Sequence, residues 1–251
     1  MELGLKGKIA IVTGGGSQIG FGKAIAIQLA KEGCDVVVTD LDIEGAKKTA
    51  AEVEKLGVKS MAIQSDATKI DAWEAMVKQV MDKFGRIDIL VNNAGGCTPP
   101  QPFLKMTEKN YDFDIAVNLT STHHGMKVIL PIMIKQHYGK IVNITSGAGI
   151  TGGFFTANYS AAKAGIIAIS KSVASEVAPE NIYINCVSPG VANTGFAKNA
   201  PPGMIENFPK TVPLRRLTTA QDIANAVTFL ASEAASDITG QVLPVSGGPN
   251  P

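Results

Sequence analysis

The chain has 251 residues, 45% of them hydrophobic, and a formal net charge of +1. That is enough apolar material for a sizeable core in one α/β domain, and no global field calls for nucleic acid or an anionic membrane as partner. Three scattered cysteines, Cys34, Cys97 and Cys186, exclude a disulfide framework and paired metal spacing, which implies a reducing compartment and no metal. The start carries no signal-peptide pattern and no apolar run reaches the roughly 18 residues of a membrane span, so a cytoplasmic location is expected.

Apolar runs of strand length alternate with helical patterns along the chain. KIAIVT (8–13) precedes the helical KAIAIQLAKEG, CDVVVTD (34–40) precedes IEGAKKTAAEVEKLG, and VKSMAIQ (58–64) precedes DAWEAMVKQVMDKFG. IDILVN (87–92) leads into a long stretch ending at His137, KIVNIT (140–145) into a small-residue helix, and IYINCVS (182–188) into a loop and QDIANAVTFLASE. GQVLPVS (240–246) closes the series. Continuous apolar strands mean that both sheet faces are covered, and repeated strand–helix units mean right-handed crossovers. The expected fold is α/β: one domain over 1–251, with a doubly wound, seven-stranded parallel sheet and helices on both faces. The Pro- and Gly-rich insert 189–213 reads as a substrate-binding lid.

After the first strand, GGGSQIGFG opens the first helix. Glycines there let the backbone approach a pyrophosphate, and the helix N-terminus supplies N–H groups and the positive end of a dipole. Asp40, at the end of the second strand, can accept hydrogen bonds from both hydroxyls of an adenosine ribose and repel a 2′-phosphate. No Arg or Lys lies in the loop or beside Asp40, which favours NAD over NADP. The bland reading is that Asp40 or Asp42 caps the next helix; Asp42 is better placed, leaving Asp40 free.

Ser146 ends the fifth strand, and Tyr159 and Lys163 stand four residues apart on one face of the next helix. A phenol beside an ammonium is expected to ionise below its usual value near pH 10 and to serve as a general acid–base. Taken alone, the pair is an ordinary helix surface.

Together these motifs resemble the classical short-chain dehydrogenases/reductases. The likeness covers nearly the whole chain: the glycine loop, NNAG (92–95), Asn118 in DIAVNLTS, the Ser146/Tyr159/Lys163 spacing, PGVANT (189–194), and the closing LRRLTTAQDIANAVTFLASEAASDITGQ. It implies a Rossmann fold in which Asn118 holds a relay water and Ser146 binds the reacting oxygen. Tyr159 would exchange the proton, while Lys163 would lower the tyrosine's pKa and grip a ribose. The cofactor would rest on Gly14, Gly16, Ser17, Gln18, Ile19 and Gly20, with Asp40 and Leu41 at the ribose. Asp66 and Ala67 would meet the adenine. Asn92 to Gly95, including Asn93 and Ala94, would pack along it, and Pro189, Gly190, Val191 and Thr194 would face its nicotinamide side. The loop is two residues longer than the family's TGxxxGxG, with Gly16, Gly20 and Gly22 preserving the glycine pattern.

The resemblance implies an NAD(H)-dependent oxidoreductase interconverting a secondary alcohol and a ketone. The closing segment looks like that of 3-oxoacyl-thioester reductases, so a 3-hydroxyacyl-CoA leads, with oxidation as its direction. A polyol, sterol or cyclic alcohol is the alternative, and a non-catalytic NAD-binding subunit of a hetero-oligomer is an alternative from another class. A homotetramer or dimer is expected, and no nucleic-acid or membrane partner. Cys97, Phe154 and Phe196 are candidate substrate contacts in an apolar pocket. Lys198, Lys210, Arg215 and Arg216 read as surface charges, or as partners of coenzyme A phosphates. His123 and His124 point about 100° apart on a helix and do not form a metal pair.

Overall fold

A computed structural model describes residues 2–192 and 203–248. In the first strand, β1 (Ile9–Thr13), side chains alternate: Ala10 and Val12 enter one apolar layer, Ile9 and Ile11 the other. The same alternation runs through β2 (Asp35–Asp40), β3 (Ser60–Gln64), β4 (Ile89–Asn92), β5 (Gly139–Ile144) and β6 (Ile182–Pro189), while β7 (Val242–Val245) sends Leu243 and Val245 into the first layer. All neighbours pair in parallel, in the order β3-β2-β1-β4-β5-β6-β7. Pro244, which cannot donate to a ladder, is tolerated because β7 is an edge strand.

The helices are α1 (Phe21–Lys31), α2 (Ile43–Glu54), α3 (Ile70–Phe84), α4 (Glu108–Asp114), α5 (Ser121–Gln136), α6 (Ala148–Thr151), α7 (Ala157–Val177), α8 (Met204–Asn207) and α9 (Ala220–Leu230). One layer packs α1, α2 and α9 on the sheet through Ile25, Leu29, Ala46, Val53, Ile223 and Val227. The other packs α3, α5 and α7 through Trp73, Met76, Ile129, Met133, Ala174 and Val177. Both faces are thus covered, which is why the strands read as unbroken apolar runs. Among the described residues no helix is long and apolar enough to cross a membrane, and no group of His, Cys, Asp and Glu could hold a metal ion. Of the 189–213 insert, positions 193–202, with Thr194, Phe196 and Lys198, lie outside the described residues. Its described end runs through α8 to Val212, and Ala192 bridges to Thr218.

At the N-terminal end of the sheet sits a buried charge. Lys140, the second residue of β5, has 0% exposure; its Nζ has no hydrogen-bond partner among the described residues and lies 3.5 Å from the centre of the Tyr183 ring. Burial pushes its pKa down, with Glu233 opposing. A buried ammonium costs several kcal/mol, whereas a desolvated cation–π contact returns about 2 kcal/mol. Lys140→Met, whose thioether also packs on an aromatic ring, is therefore expected to stabilise the fold by about 1 kcal/mol, or roughly 2–4 °C in melting temperature. The folded pKa lies below the unfolded one, so the unfolded chain binds more protons and wild-type stability rises with pH. The advantage of Lys140→Met should shrink as pH climbs toward the ordinary lysine value. A calorimetric pH series reads this directly, and a lower melting temperature for the variant at neutral pH would contradict it.

Candidate active site

The strand order reverses between β1 and β4, so their loops part there and leave a crevice at the carboxyl ends of the strands. The loop after β1 is built on glycines at two close approaches. Gly14 takes a left-handed backbone (φ 67°), and a Cβ on it would come 2.9 Å from the Ala94 Cα. A Cβ on Gly22 would strike the Gly14 carbonyl, so helix and turn can touch only without side chains. Gly20 is the N-cap of α1 and has no side-chain cap, which leaves first-turn N–H groups open to an anion. The turn is pinned from β4: Thr13 Oγ1 accepts from Asn93 N (3.0 Å) and Ala94 N (2.9 Å), and Asn93 Nδ2 donates to the Thr13 and Gly14 carbonyls. This cradle fits a dinucleotide pyrophosphate.

The longer loop rearranges the roles of its residues. Gly14 stands under Gly22, while Gly16, expected as the first glycine of the pattern, donates its N–H to Asp40 Oδ2 at 2.7 Å. Asp40 is therefore not free as expected: it holds the loop through Gly16 and accepts from Asp42 N at 2.9 Å, keeping lone pairs for a ribose. Asp42 caps α2 as expected, accepting from Gly45 N at 3.1 Å. Gln18 also departs from expectation, because its amide is tied toward α2 and donates to the Gly16 and Gly45 carbonyls. Ser17 closes the turn through its carbonyl, which accepts from Gly20 N. Ile19 (56% exposed) and Leu41 (64%) are apolar faces left open beside the loop. Asp66 and Ala67 follow β3, which is held to Asp40 through Ser65 N; Asp66 accepts from Thr68, and the Ala67 carbonyl accepts from Trp73 Nε1. Pro189 ends β6 and Gly190 and Val191 follow it; Gly190 N donates to the Val245 carbonyl, and the Val191 carbonyl accepts from Thr218 N.

On the other side of the crevice the polar residues converge. Ser146 follows β5 and hydrogen-bonds the Tyr159 hydroxyl, while its Oγ also accepts from Ala148 N at 3.2 Å. Lys163, one turn along α7, is 4% exposed; its Nζ donates to the Ile144 carbonyl at 2.9 Å and lies 5.7 Å from the centre of the Tyr159 ring. Thr145 Oγ1 donates to the Lys163 carbonyl, locking helix to strand. Asn118 sits fully buried in a π-helical turn, Ile115–Thr120, where Ser121 N–H reaches back five residues to the Ala116 carbonyl. Its amide donates to the Gly96 and Asp114 carbonyls, each at 2.8 Å, and its backbone carbonyl accepts from Thr122 Oγ1. Gly95 separates Asn118 from Lys163: a Cβ there would lie 2.7 Å from Asn118 Oδ1 and 3.4 Å from Lys163 Nζ. The four residues expected to carry the chemistry are thus brought together.

The electrostatics differ from expectation. Burial pushes the Tyr159 phenol up to about 12, against a lowering by Ser146, while Cys97 and Asp114 raise it further. Burial also pushes the Lys163 ammonium down to about 8. The lysine points at the Ile144 carbonyl rather than at the phenol, so desolvation wins over charge–charge attraction in the protein alone. The phenol is held protonated. Nothing activates Cys97: burial and Asp114 lift its thiol to about 12, and its Sγ donates to the Thr98 carbonyl. Phe154 is 85% exposed and its ring lies against Phe155, with the ring centres 3.8 Å apart. Arg216 is engaged by Asp222, Lys210 by Asn207, and Arg215 by the Lys210 carbonyl. Thr13, Gly96 and Asp114 hold candidate site residues through hydrogen bonds and were not singled out from the sequence; Asp114, four residues before Asn118, carries the helical spacing that could have found it.

Comparison with known proteins gives a consistent set. Residues 14–250 match the family model described as enoyl-(acyl carrier protein) reductase. The chain is 39% identical over 249 residues to a 3-oxoacyl-[acyl-carrier-protein] reductase of Aquifex aeolicus, covering 99% of each chain. It is 40% identical to the protein of the same name from Chlamydia muridarum, over 97% of this chain and 98% of the relative. Among solved structures, a 7α-hydroxysteroid dehydrogenase complexed with NADH and 7-oxo glycochenodeoxycholic acid superposes with a TM-score of 0.93 and 37% identity, covering 98% and 96% of the two chains. An NAD⁺-bound xylitol dehydrogenase superposes with a TM-score of 0.91 and 33% identity, covering 97% and 99%.

Proposed function

The chain belongs to the short-chain dehydrogenase/reductase family and is a nicotinamide-dependent oxidoreductase between alcohol and ketone; from there we propose that it acts on a 3-oxoacyl or 3-hydroxyacyl thioester with NAD(H). The observation that carries the substrate class is the near-complete alignment with 3-oxoacyl-thioester reductases at 39% and 40% identity. NAD(H) is favoured by the Asp40 carboxylate, which ends β2 beside the glycine loop, where it would accept from a ribose diol and repel a 2′-phosphate.

The bound nicotinamide supplies or accepts the hydride. In reduction, the Tyr159 phenol donates its proton to the oxygen of the former carbonyl, on which negative charge develops. Ser146 holds the phenol and offers a hydroxyl to the same oxygen. The buried Lys163 ammonium stabilises the phenolate left behind. Asn118, fixed by Gly96 and Asp114, lines the route by which Tyr159 is reprotonated, with Lys163 across Gly95 from it. Oxidation reverses each transfer. The same reading includes a homo-oligomer, supported by the exposed Phe103 and Leu104 beside an apolar groove of about 550 Å³ against α7.

The test is a nicotinamide absorbance assay with 3-oxoacyl thioesters on coenzyme A and on an acyl carrier protein, alongside polyols and hydroxysteroids, each with NADH and NADPH or their oxidised forms. Turnover of either thioester with NADH supports the proposal, and the better carrier identifies the physiological one. Turnover confined to polyols or steroids overturns the substrate class, and a preference for NADPH overturns the role given to Asp40.

A further inference from the structure

The two extra residues in the loop after β1 bring a side chain into a position no glycine pattern requires. Gln18 Nε2 donates to the Gly16 carbonyl at 2.8 Å and the Gly45 carbonyl at 3.2 Å, with Thr49 Oγ1 at 3.4 Å. Its Oε1 accepts from Lys23 Nζ at 2.9 Å, and Lys23 is held in turn by Glu52 at 2.6 Å. One amide therefore joins the loop to the first turn of α2 and to the ion pair between α1 and α2. Thr49 Oγ1 adds a second tie by donating to the Gly15 carbonyl at 2.8 Å. Beneath it, loop and helix are in close contact, since a Cβ on Gly45 would strike the Gly16 carbonyl.

We propose that Gln18 is a positioning residue that sets cofactor affinity and selectivity by clamping Gly16 between Asp40 and α2. This rests on the reading of the crevice as a dinucleotide site. The physical reason lies in what the clamp fixes. Gln18 holds the peptide that follows Gly16 and Thr49 holds the one that precedes it, so the Gly16 N–H is aimed at Asp40. The carboxylate is thereby oriented for a ribose diol, and that N–H is withheld from a phosphate. The Lys23 ammonium is likewise committed to Gln18 and Glu52. Releasing the clamp leaves the Gly16 and Gly45 carbonyls without their donor, loosens the loop that carries the Gly16 N–H and with it the wall of the ribose pocket, and relaxes the exclusion of a 2′-phosphate.

The test is fluorescence titration of the intact protein with NADH and NADPH, comparing wild type with Gln18→Met and Gln18→Glu. Both variants keep the side-chain length; methionine cannot hydrogen-bond, and glutamate keeps the Lys23 partner but cannot donate to the two carbonyls. Each is expected to weaken NADH binding by about tenfold and to narrow the gap to NADPH, since each loses the amide's donated bonds. The turnover number at saturating NADH should stay within about twofold while KM for NADH rises. Melting curves confirm that the variants are folded. If wild type binds neither dinucleotide, the cofactor reading itself falls. If wild type binds NADH and both folded variants bind it as tightly, the proposal is overturned and the dinucleotide reading stands. Equal weakening toward NADH and NADPH overturns the selectivity role.

Discussion

Tyr159→Phe is expected to slow ketone reduction by about 10²–10⁴-fold while leaving NADH titration at its wild-type affinity. The substitution keeps the ring beside Ser146 and Lys163 and removes only the proton that the reacting oxygen must receive. Because burial holds that phenol protonated up to about 12, wild-type reduction should not decline through loss of the tyrosine proton near neutrality. Single-turnover measurements with premixed NADH separate chemistry from binding. A variant within tenfold of the wild-type rate would assign the proton to another group.

Lys163→Met is expected to cost roughly 10²–10³-fold in turnover, the scale seen when one preorganised donor is removed from a developing negative charge. The lysine also predicts a pH dependence that the tyrosine does not. Its ammonium is pushed down to about 8, so reduction that depends on that positive charge should fall above about pH 8. Lys163→Arg, whose guanidinium stays charged, should lose this alkaline limb even where its bulkier head lowers the maximum. A falling limb that persists unchanged in the arginine variant would assign it to another group. The same shift acts on the fold: between about pH 8 and the ordinary lysine value the unfolded chain binds more protons at this position, so its cost to stability declines as pH rises.

The strands were legible because their causes are local. Residues such as Val36–Val38 and Ile89–Val91 are buried on both faces and therefore read as unbroken apolar runs. Tyr159 and Lys163 were legible for a similar reason, since a spacing of four fixes a shared helical face whatever surrounds it. The bond from Gly16 N–H to Asp40 depends on how two loops from neighbouring strands meet, and neither loop contains that information alone. The rise of Tyr159 follows from the desolvation that its tertiary surroundings impose, while spacing suggested the opposite sign. The direction of Gln18 needed α2 in place, because two of its three acceptors, Gly45 and Thr49, belong to that helix.

The π-helical turn at Ile115–Thr120 carries a consequence for how this chain can change in length. A residue in a helix advances the side chains by about 100°. The wider π-turn takes up about one residue more than an α-turn, so the extra residue is absorbed locally and α4 and α5 keep their mutual phase. Deleting one residue here would let the turn relax into ordinary α-helix with Met126, Ile129 and Met133 still in the core. What would be re-aimed lies inside the turn, where Asn118 holds Gly96 and Asp114. The extra residue thus separates the chemistry from the packing, and a shortening at this point would cost the site while sparing the fold.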